Sequence, residues 1–359
     1  MRVVHVHRMR GIGGSERHLL ALLPALAERG ADVAFVGLDD PDWNVAPFYD
    51  GLTVPARHLA SPRDVDPALA VRLRRTLAEL GPDIVHTHLV HADVYGALGS
   101  LRGRWRLVAT KHNDDPFRVG PFRFVERTLT RRASRVIAIT RALRRFCVEQ
   151  VGLPEAKVDV VHYGLDEIPA WTDGDGAPPD GRFVLVVGRL VEQKGVDVAI
   201  RALAELQDDV RLAVLGEGPE RLRLEQLARE LGVADRLLLP GRVGDVAAWL
   251  RAAELVLHPV RWEGFGLAVL EAMLAGRPVV ASAVSAVPEL VLDGETGILV
   301  RPDDAIALAA AVAGLLANPE VAASMGAAGR RRAEREFSVA RMAAATLRVY
   351  DRALGNSDR

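Results

Sequence analysis

Short apolar segments alternate with longer helical patterns along almost the whole chain. This alternation is typical of βαβ units, in which parallel strands are covered by helices on both faces of a sheet. It is interrupted once, between Glu167 and Gly181, where the sequence EIPAWTDGDGAPPDG is rich in Gly, Pro and Asp. The alternation resumes at Phe183. The pattern therefore predicts an α/β fold with two doubly wound, Rossmann-like domains that face each other across a cleft.

The chain length agrees with two domains, because single hydrophobic cores stop growing at about 250–300 residues. The chain has 359 residues. We place the first domain at residues 1–167, a linker at residues 168–181 and the second domain at residues 182–336.

Composition limits the class of protein. The net charge of −1 gives no global reason to expect a nucleic-acid partner. Cys147 is the only cysteine, which rules out an internal disulfide framework and fits a reducing compartment. The N-terminal sequence MRVVHVHRMRG lacks the apolar region of a signal peptide, and no apolar run approaches the length of a transmembrane helix. We therefore expect a cytoplasmic protein.

The stretch from Trp262 to Ser282 reads WEGFGLAVLEAMLAGRPVVAS and predicts a loop, a helix and a buried strand. Glu263 lies in the loop, and Glu271 lies about two turns into the helix. Gly264 and Gly266 remove side chains where a ligand would approach the backbone, and the N–H groups at the helix start favour anions or polar oxygens. This layout indicates a site for a ligand rich in hydroxyls and phosphate. The alternative is a pair of glutamates on a solvated surface.

The segments EGFGL and EAMLAGRPVVAS in this stretch resemble the E-x7-E region of the retaining, nucleotide-sugar-dependent glycosyltransferases of family 4, which have the GT-B fold. The resemblance implies that Glu263 contacts the transferred sugar and that Glu271 holds the ribose hydroxyls of the nucleotide. It also implies that a last helix, within residues 337–359, packs back on the first domain. The donor contacts that it implies between the two glutamates are Gly264, Phe265, Gly266 and Leu267.

Two cations follow the first strand of the second domain. The segment Phe183 to Gly188 is apolar, and the next loop, RLVEQKG, contains Arg189 and Lys194. Ligands of open α/β sheets bind at the carboxyl ends of the strands. There a guanidinium fork and an ammonium can stabilise a diphosphate as a glycosyl bond breaks, which is also the role that the resemblance gives them. The alternative is a pair of solvated loop cations.

Two further turns of the second domain are candidates for donor contacts. Gly216 ends a strand in the sequence GEGPE and is expected to allow close backbone approach. In the turn GRVGD, the resemblance places Arg242 and Val243 against the nucleotide base. The choice between uracil and guanine does not follow from these residues.

A glycine-rich loop, RMRGIGGSERHLL, follows the first strand of the chain. It is not a dinucleotide fingerprint, because Glu16 occupies the third glycine position, and it is not a P-loop, because no G-K-[ST] follows. The amides of Gly13 and Gly14 can face a ligand phosphate. The resemblance places such a G-G-x-E stretch over the donor diphosphate and the acceptor, which makes Glu16 an acceptor candidate. The alternative is a tight turn that serves geometry alone.

Histidines mark two further strand ends of the first domain. The strand DIVHTH ends at His88, a candidate acceptor contact, whereas His86 on the same face is expected to be buried. His112 follows the next strand and matches a family position at which a histidine hydrogen-bonds the donor sugar. Asn113 and Asp114 in the same loop are candidates for binding acceptor hydroxyls or for capping the next helix. The alternative for each histidine is a structural role.

Residues 102–145 are basic, and Phe117, Phe122, Phe124 and Leu129 are interleaved among the cations. Such a segment can dock on anionic lipid or bind an anionic acceptor, and it can equally consist of solvated helix faces. Peripheral contact with the inner face of a membrane is therefore one alternative for this chain.

The residues and the resemblance predict a glycosyltransferase that moves a sugar from a UDP- or GDP-linked donor to the hydroxyl of a glycan, lipid or small-molecule acceptor. The resemblance implies retention of the anomeric configuration, and the expected catalytic residues are Glu263, His112, Arg189 and Lys194. No metal or other cofactor is expected, because the D-x-D at Asp173 to Asp175 lies in the linker.

Two other classes stay open. A glycoside hydrolase could use Glu263 and Glu271 as its carboxylate pair, although it would have no use for Arg189 and Lys194. A non-catalytic subunit that binds nucleotide sugars would keep the same site without turnover.

Overall fold

The computed structural model describes residues 1–100, 103–114, 120, 122–168 and 176–356. The chain divides into two compact units, of which one is Met1–Gly164 with Val339–Arg359 and the other is Leu165–Ser338. The first unit ends at Gly164, three residues before the expected end of the first domain, whereas the second unit begins at Leu165, before the expected linker. The D-x-D motif at Asp173 to Asp175 lies outside the described residues.

The first unit contains a parallel sheet whose described strands are β1 (Arg2–Met9), β2 (Asp32–Asp39), β3 (Ala56–Ala60), β4 (Ile84–His88), β5 (Arg106–Lys111), β6 (Arg135–Ala138) and β7 (Val158–Val160). The order across the sheet is β3-β2-β1-β4-β5-β6-β7. The direction of winding reverses between β1 and β4, and ligands of open α/β sheets bind beside the carboxyl ends of such a pair. The helices before the crossover to the second unit are α1 (Gly14–Glu28), α2 (Ala46–Asp50), α3 (Pro67–Leu80), α4 (Leu89–Gly99), α5 (Phe122–Arg132) and α6 (Arg141–Arg145), followed by a π-helix, Phe146–Val151.

The second unit repeats this plan with β8 (Phe183–Val187), β9 (Arg211–Leu215), β10 (Leu237–Gly241), β11 (Leu255–His258), β12 (Val279–Ser282) and β13 (Gly297–Val300). Its parallel order is β10-β9-β8-β11-β12-β13, so the winding reverses between β8 and β11. The helices are α7 (Val196–Ala204), α8 (Arg221–Glu230), α9 (Val246–Ala252), α10 (Leu267–Leu274), α11 (Val287–Leu290), α12 (Ala305–Ala317) and α13 (Pro319–Glu336). Every residue of β8 is buried, as its apolar sequence predicts.

The last helix, α14 (Val339–Leu354), belongs to the first unit. Its apolar face places Met342, Val349 and Tyr350 in the same core as Leu22 of α1 and Ile84 of β4. Packing of this face gives the helix its stability, because isolated helices of this length are marginal in water. The predicted architecture of two doubly wound parallel sheets is confirmed.

One face of the first sheet changes from apolar to polar along its strands. Side chains two residues apart share a face, and the register places the pairs Val3–Ile84, His5–His86 and His7–His88 side by side. The first pair lies in the apolar core. The four histidines that follow are all buried, so a layer of imidazoles separates that core from the carboxyl ends of the strands.

Among the helices of the described ranges, none is by itself both long and apolar enough to cross a membrane. One pair of helical segments is long and apolar enough when its two parts are taken together, but the pair is bent at the break between them. The two parts are Ala305–Ala317 and Pro319–Leu354.

Candidate active site

Two loops of the second unit come together at the carboxyl ends of the neighbouring strands β8 and β11. One contains the 3₁₀ turn Glu192–Lys194, and the other runs from His258 to Gly266. Lys194 Nζ donates to Glu263 Oε2 at 2.6 Å, and Nε2 of His258 lies 3.2 Å from the same oxygen. Both Glu263 and His258 are buried. The structure thus joins two predicted catalytic residues and adds a histidine that the sequence analysis missed.

The groups around Glu263 determine its charge. Burial alone would raise the pKa of the carboxyl, but the charge of Lys194 and the contact with His258 outweigh burial and hold the pKa well below its usual range. Burial lowers the pKa of His258, against the opposing pull of Glu263. At neutral pH the cluster is therefore a carboxylate, an ammonium and a neutral imidazole. A neutral imidazole carries one N–H, and at Nε2 this N–H donates to the carboxylate.

A polar clamp holds these two loops against each other. Nε2 of Gln193 donates to the carbonyl of Trp262 at 2.9 Å, and the backbone N–H of Arg261 donates to the carbonyl of Gln193 at 2.9 Å. The guanidinium of Arg261 also forms a bidentate pair with Asp197 of α7, at 2.9 and 3.0 Å. The pair ties the loop after β11 to the first turn of α7 in a fixed orientation, because a bidentate contact fixes direction as well as distance. Gln193 and Arg261 lie beside predicted site residues in the sequence, which is the signal that could have found them.

The start of α10 adjoins this cluster. Its predicted donor contacts are Gly264, Phe265, Gly266 and Leu267. The N–H of the first of these lies 3.1 Å from Oε1 of Glu263, and the phenyl ring lies edge-on to Phe337 with the ring centroids 6.0 Å apart. Glu271 lies on α10 and is only 1% exposed. The structure therefore places Glu271 in the interior of the second unit, and its contact with a ribose stays a prediction.

The other predicted donor contacts lie on neighbouring loops of the second unit. Arg189 is exposed in the loop after β8. Gly216 follows β9, and a Cβ atom there would overlap the carbonyl oxygen of Gly188, so this glycine allows two protein loops to approach each other. Arg242 is exposed and Val243 is buried in the turn after β10. Their contacts with a nucleotide stay predictions.

In the first unit, His112 follows β5 and is 8% exposed. Its Nε2 lies 3.1 Å from Nδ1 of His88, and its Nδ1 contacts the hydroxyl of Tyr163. The ring of His18 stacks on Tyr163 with the centroids 4.1 Å apart. Both ring nitrogens of His112 therefore have protein partners in this structure. A hydrogen bond from either nitrogen to a donor sugar requires a partner to give way.

The sequence predicts that His88 is accessible at the carboxyl end of its strand, but it is not. It is fully buried, and its Nε2 lies 2.9 Å from Nδ1 of His5. The reason is that β4 is a central strand, with β1 on one side and β5 on the other, so neighbouring side chains cover it. The structure thus gives His88 a contact with His112 instead of an accessible position for an acceptor. His86 is buried, as predicted.

The glycine-rich loop after β1 caps α1. Oε2 of Glu16 accepts from the backbone N–H of Gly13 at 2.9 Å and from the hydroxyl of Ser15 at 3.0 Å. A glutamate in the first turn that reaches back to the residue before the helix satisfies a backbone donor there. The amide of Gly13 is therefore occupied by Glu16 instead of facing a ligand, which agrees with the alternative of a turn built for geometry. Gly14 is the exposed first residue of α1.

The remaining acceptor candidates lie in the basic segment. Asn113 and Asp114 are half-buried directly after His112. Further along, Phe124 of α5 is 62% exposed and the adjacent valine is 44% exposed. Residues 101–102, 115–119 and 121 lie outside the described part of the chain, as do Phe117 and the side chain of Phe122.

Comparison with known proteins identifies the class. The family described as Glycosyltransferase Family 4 matches residues 12–167, and the family described as Glycosyl transferases group 1 matches residues 168–332. The D-inositol 3-phosphate glycosyltransferase of Xylanimonas cellulosilytica is 33% identical over 95% of this chain and 92% of its own. The phosphatidyl-myo-inositol mannosyltransferase of Mycobacterium leprae is 30% identical over 94% of this chain and 93% of its own.

Solved structures share the architecture. The crystal structure of Anabaena Alr3699/HepE in complex with UDP and glucose has a TM-score of 0.86 at 22% identity and covers 98% of this chain and 99% of that one. Sucrose-phosphate synthase from Thermosynechococcus elongatus has a TM-score of 0.83 at 23% identity and covers 99% and 100%. The fold is GT-B, and the molecule is a glycosyltransferase, as predicted. The chain belongs to the family 4, group 1 glycosyltransferases.

Proposed function

We propose that this glycosyltransferase moves a sugar from a UDP- or GDP-linked donor to an acceptor hydroxyl, with retention of the anomeric configuration and without a metal ion. The observation that carries the proposal is the buried cluster of Lys194, Glu263 and His258 at the carboxyl ends of β8 and β11. A carboxylate that an ammonium and an imidazole hold in place has a fixed direction, which suits it to orient a sugar hydroxyl.

The cations of the β8–α7 loop give the donor diphosphate its counter-charge in this proposal. Cleavage of the sugar–phosphate bond builds charge on the departing oxygen, and preorganised cations stabilise that charge. The Lys194 side chain is 17% exposed and Arg189 is exposed, so both can turn to a diphosphate at this edge of the sheet. His258 keeps its bond to Glu263 while the diphosphate shares Lys194. Two protein cations thereby take the role that a metal has in other transferases.

The charge of Glu263 makes it unsuitable as the general acid of the hydrolase alternative. A glycoside hydrolase needs a general acid with a raised pKa, whereas Lys194 and His258 overcome the effect of burial and lower the pKa of Glu263.

In the proposed reaction the acceptor oxygen bonds to the anomeric carbon on the face from which the diphosphate leaves. The departing phosphate oxygen takes the proton of the acceptor hydroxyl.

The acceptor is proposed to bind to the first unit. The names of the two relatives point to inositol compounds, one a phosphate and the other a phosphatidyl lipid. We extend this to an acceptor with neighbouring hydroxyls, which Asn113 and Asp114 can bind.

The exposed phenyl of Phe124 in a basic segment supports peripheral contact of a cytoplasmic protein with the inner membrane face. Vesicle flotation tests this contact, and a lack of salt-sensitive binding to anionic liposomes would end the membrane part of the proposal.

The test of the function is acceptor-dependent release of nucleoside diphosphate. The protein is incubated with a panel of UDP- and GDP-sugars, with and without inositol, inositol phosphate and phosphatidylinositol, and released UDP or GDP is followed. Release that requires an acceptor supports transfer. Equal release without an acceptor indicates donor hydrolysis, and binding without release indicates a non-catalytic subunit, so either result overturns the proposal. Full activity in EDTA and an unchanged anomeric configuration in the product are also expected.

A further inference from the structure

The interior of the first unit contains one continuous chain of hydrogen-bonding groups that the proposed reaction does not yet use. We name it the imidazole chain. Its members, in order, are Thr110, His86, Tyr350, His5, His88, His112 and Tyr163. The successive contacts are Thr110 Oγ1 to His86 Nε2 at 2.6 Å, His86 Nδ1 to Tyr350 Oη at 2.7 Å, Tyr350 Oη to His5 Nε2 at 3.2 Å, His5 Nδ1 to His88 Nε2 at 2.9 Å, His88 Nδ1 to His112 Nε2 at 3.1 Å, and His112 Nδ1 to the Tyr163 hydroxyl.

The register of the sheet and one helix build this chain. His5 and His86 are opposite each other on β1 and β4, and His88 lies two residues further along the same face. Tyr350 enters from α14 and places its hydroxyl between His86 and His5. The members on β1, β4, β5 and α14 are at most 1% exposed, and His112 is 8% exposed. The chain therefore leads from the interior to the loop after β5.

The protons of the imidazole chain are coupled. A neutral imidazole has one N–H donor and one bare nitrogen acceptor, and a phenol has one proton to donate. Burial lowers the pKa of His5 to about 3 and also lowers those of His86 and His88, so these rings are neutral at physiological pH. If His86 donates from Nδ1 to Tyr350, then within these contacts the phenol proton finds a partner only by donation to His5 Nε2. His5 must then donate from Nδ1 to His88.

The same rule passes along the chain to its end. With this direction, His86, His5 and His88 carry their proton on Nδ1, and the neutral form of His112 does so too. With the opposite direction, all four carry it on Nε2. Within these contacts, a mixture of tautomers among His5, His88 and His112 would set two donors or two acceptors against each other. A mismatch between His86 and His5 would leave the proton of Tyr350 or one ring nitrogen without a partner, which is also costly in the interior.

We infer that the imidazole chain fixes the ring tautomer of His112, and that Tyr350, His5 and His88 are positioning residues for it. The link to transfer rests on the proposed function and on the role that the family resemblance gives His112, a hydrogen bond to the donor sugar. His112 can exchange Tyr163 for a sugar hydroxyl at Nδ1 while His88 holds Nε2. The direction of the chain then decides whether Nδ1 donates to the sugar or accepts from it.

The first measurement needs no substrate. Long-range ¹H–¹⁵N spectra of protein labelled at histidine report the tautomer of each ring. We expect one tautomer for His86, His5, His88 and His112. Tyr350→Phe removes only the hydroxyl that couples His86 to His5, and we expect it to shift the ring ¹⁵N signals of His112. If Tyr350→Phe does not fold, Thr110→Val replaces it in this measurement. It removes the hydroxyl at the first end of the imidazole chain with little change of shape, and it should also shift the ring ¹⁵N signals of His112.

A matched control is Tyr95→Phe. It removes another buried phenol of the first unit, which accepts from the backbone N–H of Asp66 at 2.7 Å and lies outside the imidazole chain. This change should leave the histidine tautomers as they are. Mixed tautomers among the four rings, or His112 signals that Tyr350→Phe does not move, would overturn the inference.

The activity measurement separates this inference from the proposed function. With an active donor and acceptor, Tyr350→Phe should lower kcat at least tenfold and change the donor KM less than threefold, because the hydroxyl acts only through His112. Equal loss in Tyr350→Phe and Tyr95→Phe would overturn the positioning role. If no donor is turned over, the proposed function fails, while the spectra still decide whether the chain exists.

A metal ion is the competing occupant of the same rings. Among the described residues, His5, His86 and His88 place possible ligand atoms within 4.8 Å of one another. A metal would take the bare nitrogens that the imidazole chain uses as acceptors. Metal analysis of the purified protein decides between the two. A stoichiometric transition metal that is lost in His5→Phe would overturn the chain, and its absence from the purified protein supports it.

Discussion

The two carboxylate oxygens of Glu263 contact three other groups of the second unit. Oε2 meets both Lys194 and His258, whereas Oε1 faces the N–H of Gly264. In the proposed reaction the diphosphate competes with Glu263 for Lys194, whereas the neutral His258 stays bonded to Glu263. The imidazole can therefore keep the carboxylate in place while the ammonium changes partner.

Lys194→Ala should weaken donor binding by about 1.5–3 kcal/mol, because it removes a hydrogen bond to a charged group. The same change takes the cation away from buried Glu263, so the pKa of that carboxyl should rise. Titration of UDP and GDP into the variant and initial rates with the active donor measure the loss. Arg201→Ala, which removes an exposed cation of α7, is the control and should bind donor normally. Unchanged donor affinity and turnover in Lys194→Ala would remove Lys194 from the site.

The two glutamates should separate binding from turnover. Glu271→Ala should mainly weaken binding of the nucleotide, because the resemblance gives Glu271 the ribose hydroxyls. Glu263→Ala should mainly lower kcat, because Glu263 is expected to orient the sugar. Calorimetry with the nucleoside diphosphate and steady-state rates compare the two variants with Glu295→Ala, which changes an exposed glutamate of the same unit. Full activity of both variants would discard the assignment of the pair.

At the scale of elements, the loops that follow the strands of the second sheet are joined through their backbones. A Cβ atom at Gly216, after β9, would overlap the carbonyl oxygen of Gly188, after β8. A Cβ atom at Gly195, before α7, would likewise overlap the carbonyl oxygen of Pro259, after β11. Glycine at these positions lets the loops after β8, β9 and β11 pack closely against one another. The position of Lys194 and Arg189 therefore depends on backbone contacts as well as on side chains.

Gly216→Ala should disturb the packing of these loops more than a matched glycine change elsewhere in the second unit. Gly216 has φ +137° and a carbonyl in its way, whereas Gly232 has φ +70° and no heavy atom within 4 Å of an added Cβ. The left-handed backbone alone costs an alanine about 1–2 kcal/mol, and overpacking adds about 1–3 kcal/mol at Gly216. Urea unfolding should rank Gly216→Ala below Gly232→Ala in stability, and only Gly216→Ala should raise the donor KM. Equal effects in both variants would contradict the role of the contact.

The existence of these elements could be predicted, but many of their contacts could not. The repeating apolar segments predict β8 at Phe183, and the Glu16–Gly13 contact follows a local capping pattern within three residues. His5 and His88 are 83 residues apart and meet only because β1 pairs with β4 in a particular register. His258 lies only five residues before its partner Glu263, but Lys194, the other partner of that carboxylate, comes from the loop of another strand. Pairing between distant strands is the information that one sequence does not state.

At the scale of the whole molecule, the buried histidines divide unevenly between the two units. Among the described residues, burial lowers the pKa of six histidines in the first unit and of His258 in the second. The six are His5, His7, His18, His86, His88 and His91. A histidine whose folded pKa is depressed takes up a proton more readily when the chain is unfolded. Stability is therefore fully present above pH 6.5 and is lost as the pH falls below it.

Acidification from pH 7 to pH 5 should thus destabilise the first unit more than the second. With a folded pKa of about 3, His5 and His18 each cost about 2 kcal/mol of stability over this range, because the unfolded chain binds their protons. Glu263 adds little in this window, since its depressed pKa removes stability only when the pH approaches the ordinary carboxyl range. Hydrogen exchange, corrected for the intrinsic rate at each pH, measures the protection of β1 and β4 against that of β8 and β11. The strands of the second unit control for general acid effects, and an equal loss of protection in both sheets would show that the buried imidazoles do not set the acid stability.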